Sequence, residues 1–125
     1  MEERTYIAKV VESSKELDKK EKISLKDTGL CTRLDEATKN GTIKLHPDFW
    51  VKLSIHNEKA KDRPDYEQYV IVDKDGERYL TGSKSFYNSF KDIADEMDGE
   101  DFEIEVYRLP SKNYSGKDFI TCRLA

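Results

Sequence analysis

The chain has 125 residues, of which 36% are hydrophobic and 38% charged, with a formal net charge of −4 and seven Tyr, five Phe and one Trp. One compact domain with a core of ordinary size is the expectation for this length and aromatic content. No run of about 18 apolar residues exists for a membrane span, and the net negative charge argues against strong non-specific binding to duplex nucleic acid.

The start, Met1-Glu2-Glu3-Arg4, lacks the charged-then-apolar plan of a signal peptide, so a cytoplasmic protein is expected. In that compartment Cys31 and Cys122 are expected to be free thiols, and the Asn40-Gly41-Thr42 and Asn113-Tyr114-Ser115 triplets carry no glycosylation meaning. Thr5 to Val11 reads as a strand or an ordered arm. Ser13-Ser14-Lys15-Glu16 fits a capping box, predicting a helix from about Ser14 to Lys22 that lies down through Leu17, Ile23 and Leu25. Asp35 to Asn40 fits another helical turn, closed by Gly41.

From Phe49 onward the periodicity sharpens. Val51, Leu53 and Ile55 alternate with Lys52, Ser54 and His56, as in a strand with one buried face. Asn57 to Asp65 is polar, contains Pro64 and reads as a loop. Gln68 to Val72 is apolar at consecutive positions, like a central strand packed on both faces, and Asp73-Lys74-Asp75-Gly76 turns it back into Arg78 to Thr81. Ser83 caps a helix to about Met97, whose inward face is Phe86, Phe90, Ile93, Ala94 and Met97. Strands over Phe102 to Tyr107 and Phe119 to Leu124 follow, separated by a turn-rich loop from Pro110 to Lys117.

Three strands, a helix and two strands is the element order of the OB-fold. The fold class expected is therefore mainly β: a five-stranded OB-fold-like Greek-key barrel over residues 46–125, its helix between strands three and four. Residues 1–45 form a short helical N-terminal extension of the same single domain. Ligands of such barrels lie across strands two and three and the loops at one end. Here those loops hold Lys59, Lys61 and Arg63, and Lys112, Tyr114 and Lys117, with Arg108 just before the second. From Tyr107 to Lys117 there is no acidic residue. An aromatic on a basic loop suits single-stranded nucleic acid, because bases stack on rings while cations meet phosphates. Trp50, Tyr79, Tyr107 and Phe119 are the pool for stackers on the sheet face.

Asp92 to Glu105 contrasts with this, holding eight acids and no base; taking those eight charges from the net −4 leaves the rest of the chain at +4. Its bland reading is a solvated helix end; its functional reading is a contact for a basic protein partner. Catalysis is not expected. His46 and His56 read as turn and strand-end residues, and no Walker loop, Gly-x-Gly-x-x-Gly or Cys-x-x-Cys occurs. Asp73 to Gly76 opens like a calcium loop, but its Gly comes two positions early and its twelfth residue is Lys84, so neither metal nor cofactor is expected.

The stretch Glu103 to Phe119, with Val106-Tyr107-Arg108-Leu109-Pro110-Ser111-Lys112-Asn113-Tyr114-Ser115-Gly116-Lys117 at its centre, resembles small uncharacterised proteins of Firmicutes phages and integrative elements. Ser54 to Ala60 and Thr81 to Phe86 share the pattern. The resemblance covers roughly Phe49 to Leu124. It implies an OB-fold single-stranded-DNA-binding-like protein with no active site, binding weakly and without sequence preference. Bacterial proteins of that kind often end in an acidic tail that recruits partners; Arg123-Leu124-Ala125 does not, so recruitment through a tail is not expected. The alternative is a protein-interaction module of a mobile element using the acidic 92–105 ridge. Either leaves the oligomeric state open.

Overall fold

The computed structural model of the chain describes residues 6–58, 64–110 and 118–125. The chain folds as β1 (Tyr6–Ser13), α1 (Lys19–Leu25), a 3-10 turn (Thr28–Leu30), β2 (Thr32–Arg33), α2 (Leu34–Ala37), β3 (Ile43–Leu45), β4 (Pro47–Asn57), β5 (Asp65–Asp73), β6 (Arg78–Thr81), α3 (Lys84–Met97), β7 (Ile104–Pro110) and β8 (Asp118–Leu124). The strands form two sheets, ordered β1-β4-β5-β6-β2 and β3-β7-β8. The structure is mainly β with three helices, as expected.

β4 and β5 set the layers. Phe49, Val51, Leu53 and Ile55 of β4 point to one face with Val70 and Val72 of β5 and Leu80 of β6. Trp50 of β4, Tyr69 and Ile71 of β5 and Tyr79 of β6 point to the other. Alternation along a strand makes this division automatic. The first face is covered along β4, the second only around Trp50, Tyr69 and Ile71, and the rest of β4's second row, Lys52, Ser54 and His56, is polar. Leu17, Leu25 and Cys31 cover the first face. The second packs on α3, through Phe86, Tyr87, Phe90 and Ala94, and on the inner side of the small sheet, through Ile104, Val106, Ile120 and Cys122.

The expected order of five strands around one helix is present as β4, β5, β6, α3, β7 and β8. Their pairing differs from a closed barrel. β7 pairs with β3 and β8, and β6 pairs with β2; among the described residues no ladder joins the two sheets. Residues 6–45 supply β1, β2 and β3, which occupy three of the four sheet edges. One partner each of β6 and β7 thus comes from residues read as an extension, where the short strands β2 and β3 give little periodic signal.

Local signals are placed with differing accuracy. A capping box does start α1, but at Asp18 and Glu21: Asp18 Oδ1 accepts from the Glu21 amide at 2.7 Å, and Glu21 Oε1 accepts from the Asp18 amide at 3.4 Å. Ser13 ends β1 instead, its hydroxyl donating to the Lys15 carbonyl at 2.7 Å. Leu25 is buried as expected, whereas Ile23 is exposed. Ser83 caps α3, accepting from the Phe86 amide at 3.2 Å. Asp98 and Gly99, at φ 47° and 84°, end it in the left-handed region, which Asp tolerates and Gly permits at no cost. Phe102 is buried but precedes β7 rather than lying in it. Both cysteines are free; burial raises the thiol pKa of each, that of Cys122 to about 12.

Tyr87 stacks on Tyr69 with ring centroids 4.1 Å apart. Its buried hydroxyl has no hydrogen-bond partner among the described residues, and burial, with Glu12 the next cause, pushes the phenol pKa well above its usual range. A buried donor without a partner costs about 1–3 kcal/mol. Tyr87→Phe, which keeps the stack, is therefore expected to raise unfolding stability in urea by about 1 kcal/mol. A loss of that size would show that the hydroxyl is satisfied.

Candidate nucleic-acid interface

The small sheet has one face in the core and one in solvent. The register of β7 and β8 places Glu105 opposite Arg123, Tyr107 opposite Thr121, and Leu109 opposite Phe119, while Ile104, Val106, Ile120 and Cys122 point inward. The outward row ends in two large apolar side chains that lie side by side: Leu109 is 40% exposed and Phe119 42%. Tyr107 is half-buried, with the Arg123 guanidinium 4.6 Å from its ring centroid. Such a cation over an aromatic face is favourable and holds both groups in place.

Glu105 fixes the guanidinium from its other side, accepting from Arg123 Nη2 at 2.8 Å and from Nε at 3.2 Å. Lys44, opposite Glu105 on β3, adds an exposed ammonium to the same face. The outward face therefore combines two aromatics, an aliphatic and two cations against one acid. Residues 111–117 join β7 to β8 at the Leu109–Phe119 end and lie outside the described residues.

Of the residues singled out by sequence, the structure brings Tyr107 and Phe119 together on this face. It sends three elsewhere. Trp50 is on the opposite side of the core, edge-on to Phe90 at 4.9 Å and 88°, and to Phe102 at 6.0 Å. Tyr79 is half-buried against the same core; burial raises its phenol pKa, with smaller contributions from Asp73, Asp75 and Glu77. Arg108 points inward and holds α2, donating from Nε to Thr38 Oγ1 at 3.0 Å and from Nη2 to the Asp35 carbonyl. Lys59, Lys61, Arg63, Lys112, Tyr114 and Lys117 lie outside the described residues.

The surface that an OB barrel uses is also covered. Val70, Val72 and Leu80, which line one side of β5 and β6, sit under Leu25 and Cys31 of the N-terminal third. Lys44, Leu109 and Arg123 escaped the sequence reading. Arg123 lay in a recognised strand, but its placement over Tyr107 is a matter of cross-strand register.

Neither histidine gathers a metal set: no group of three or more His, Cys, Asp or Glu side chains suited to a metal occurs among the described residues. His46 Nε2 meets Asp101 Oδ1 at 2.7 Å, and Lys74 Nζ meets the same oxygen at 2.6 Å. The two contacts hold the Asp101 carboxyl below its usual pKa, Lys74 first. His56 Nδ1 meets Asp65 Oδ1 at 2.6 Å, and its Nε2 lies 3.6 Å from Glu58.

No family model matches the chain, and neither the curated proteins nor the solved structures compared with it yield a match.

The Asp65 hydrogen bond, opposed by desolvation, raises the His56 pKa above 6.5. The folded state thus holds the imidazolium more tightly than the unfolded chain does. The stabilisation is full below the unfolded pKa and is lost as pH rises through the raised folded value. An NMR titration should place the His56 midpoint above 6.5 in the wild type, and closer to that value in Asp65→Asn. A wild-type midpoint at or below 6.5 would contradict the contact.

Proposed function

We propose that the protein is a non-enzymatic module that binds single-stranded DNA weakly and without sequence preference, across the outward face of β7 and β8. One observation carries this reading: Tyr107 and Phe119, chosen from sequence as stackers, share one solvent-facing surface with Arg123 and Lys44 beside them. Bases stack on rings irrespective of sequence, and cations track the phosphates. The Lys112, Tyr114 and Lys117 segment joins the same two strands in the chain. The resemblance to OB-fold single-stranded-DNA-binding-like proteins of phages and integrative elements supports the same reading through Tyr107 to Lys117. This surface needs only the β7–β8 pair and not a closed barrel.

A protein-interaction module is the second reading. It rests on the ridge at 92–105, where Asp95, Asp101 and Glu105 are paired with Lys91, Lys74 and Arg123. Asp92, Glu96, Asp98, Glu100 and Glu103 are exposed and have no ion-pair partner among the described residues.

Fluorescence anisotropy of a labelled single-stranded 25-mer separates the two. Binding at low salt should weaken steeply as salt rises. Base stacking contributes about 1–3 kcal/mol per ring, so Phe119→Ala or Tyr107→Ala should weaken binding from roughly fivefold to over a hundredfold. Arg108→Ala leaves Thr38 without a donor and should cost about 1–2 kcal/mol of stability, with no comparable loss of affinity once folded. No binding at low salt, or binding unchanged in both aromatic variants, would contradict the proposal.

A further inference from the structure

A cleft of about 320 Å³ shares no residue with the outward β7–β8 face. Its walls come from the residues after β1, the start of β4, the β5–β6 turn and the connection from α3 to β7. Trp50 and Phe102 supply the aromatic surface. Trp50 is half-buried, its ring braced edge-on by Phe90, which fixes the orientation of the indole against the cleft. The volume lies at the lower end of the range for ligand pockets, which suits one inserted side chain.

The charges around this aromatic surface are unbalanced. Lys74 is bound to Asp101 at 2.6 Å and has Asp48 near it as well. Lys15 is bound to Glu21 at 3.3 Å and lies over the Phe49 ring at 4.0 Å. Both ammonium groups are thus engaged within the protein. Asp48 and Glu100 are exposed, and neither side chain has a hydrogen bond or ion-pair contact among the described residues. They approach the cleft from two different elements. An anion entering would meet spare carboxylates; a cation would meet the same carboxylates and an indole. An indole is the best of the aromatic surfaces for a cation.

We propose that this cleft takes the guanidinium of an arginine side chain presented by a protein partner, stacked on Trp50 and held by Asp48 and Glu100. Guanidinium fits better than ammonium for two reasons. It is planar and weakly hydrated, so it stacks on an indole at low desolvation cost. Its five donors fan out in a fork that can reach carboxylates on separate walls, whereas a lysine offers one compact head.

Trp50 is the one tryptophan of the chain, so its emission reports on the cleft directly. Capped pentapeptides with a single central Arg, Lys or Glu between glycines, free of terminal charge, are the probes. The Arg peptide should give a saturable change in Trp50 emission, and the Lys peptide a weaker one. The Glu peptide should give none. Asp48→Asn and Glu100→Gln should each weaken the Arg peptide by roughly tenfold, the size of one lost charged contact. Neither side chain has a contact whose loss would unfold the protein, and an unchanged thermal melt verifies that. Four results would overturn the assignment: no saturable response to the Arg peptide, an equal response to the Lys peptide, a response to the Glu peptide, or full affinity in both variants.

Discussion

β5 is buried on both sides from Tyr69 to Val72, and the rest of the structure depends on that. A strand with water on one side needs only one apolar row. β4 comes close to that, placing Phe49, Val51, Leu53 and Ile55 in one core while Trp50 alone of its second row packs on the other, beside polar Lys52, Ser54 and His56. β5 divides Val70 and Val72 from Tyr69 and Ile71. A strand pair of this kind must be covered twice. The N-terminal third covers one face, and α3 with the small sheet covers the other. Three of the four edges are strands from residues 6–45, two of them, β2 and β3, only two and three residues long, and a very short edge strand offers little to other chains.

That double cover decides where a ligand surface can be. The sides of β5 and β6 that an open barrel would offer are already occupied by Leu25 and Cys31. What stays open is the outside of the small sheet. There Leu109 and Phe119 stand exposed at one end, and Arg123 lies on Tyr107 at the other. The acidic stretch from Asp92 to Glu105 begins on α3 and continues through the turn into β7. Charge is thereby segregated on a molecule whose net value alone says little about local potential.

The parts of the fold written in short-range periodicity were legible. Alternation at Val51 to Ile55, the apolar run at Tyr69 to Val72, the Asp75-Gly76 turn and the helical spacing from Phe86 to Ala94 all correspond to observed elements, because each is set by neighbours in sequence. What was not legible is set by neighbours in space. β1 was legible as a strand but its pairing with β4 was not, and β2 and β3 are edge strands that owe their form to partners 47 to 63 residues away in the chain, with little apolar pattern of their own. Trp50 and Tyr79 share their sides of β4 and β6 with polar residues, Lys52 and Ser54 beside the first and Thr81 beside the second, yet both pack on the core beneath α3, a placement that spacing within one strand does not show. Arg108 looked like part of a basic loop, yet the pleat turns it inward to Thr38 and Asp35. Tyr107 and Phe119, two residues apart in register across β7 and β8, lie on the side opposite the buried Ile104, Val106, Ile120 and Cys122, which the register of the pair decides.

The outward face of β7 and β8 is the proposed path of single-stranded DNA. Amide chemical-shift mapping of the isotope-labelled protein, titrated with an unlabelled oligothymidine at low salt, tests it residue by residue. Shifts concentrated at Tyr107, Leu109, Phe119, Thr121 and Arg123, with Lys44 beside them and α3 silent, are the predicted result. Shifts centred on α3 and the 92–105 ridge, or no shifts at all, would contradict it.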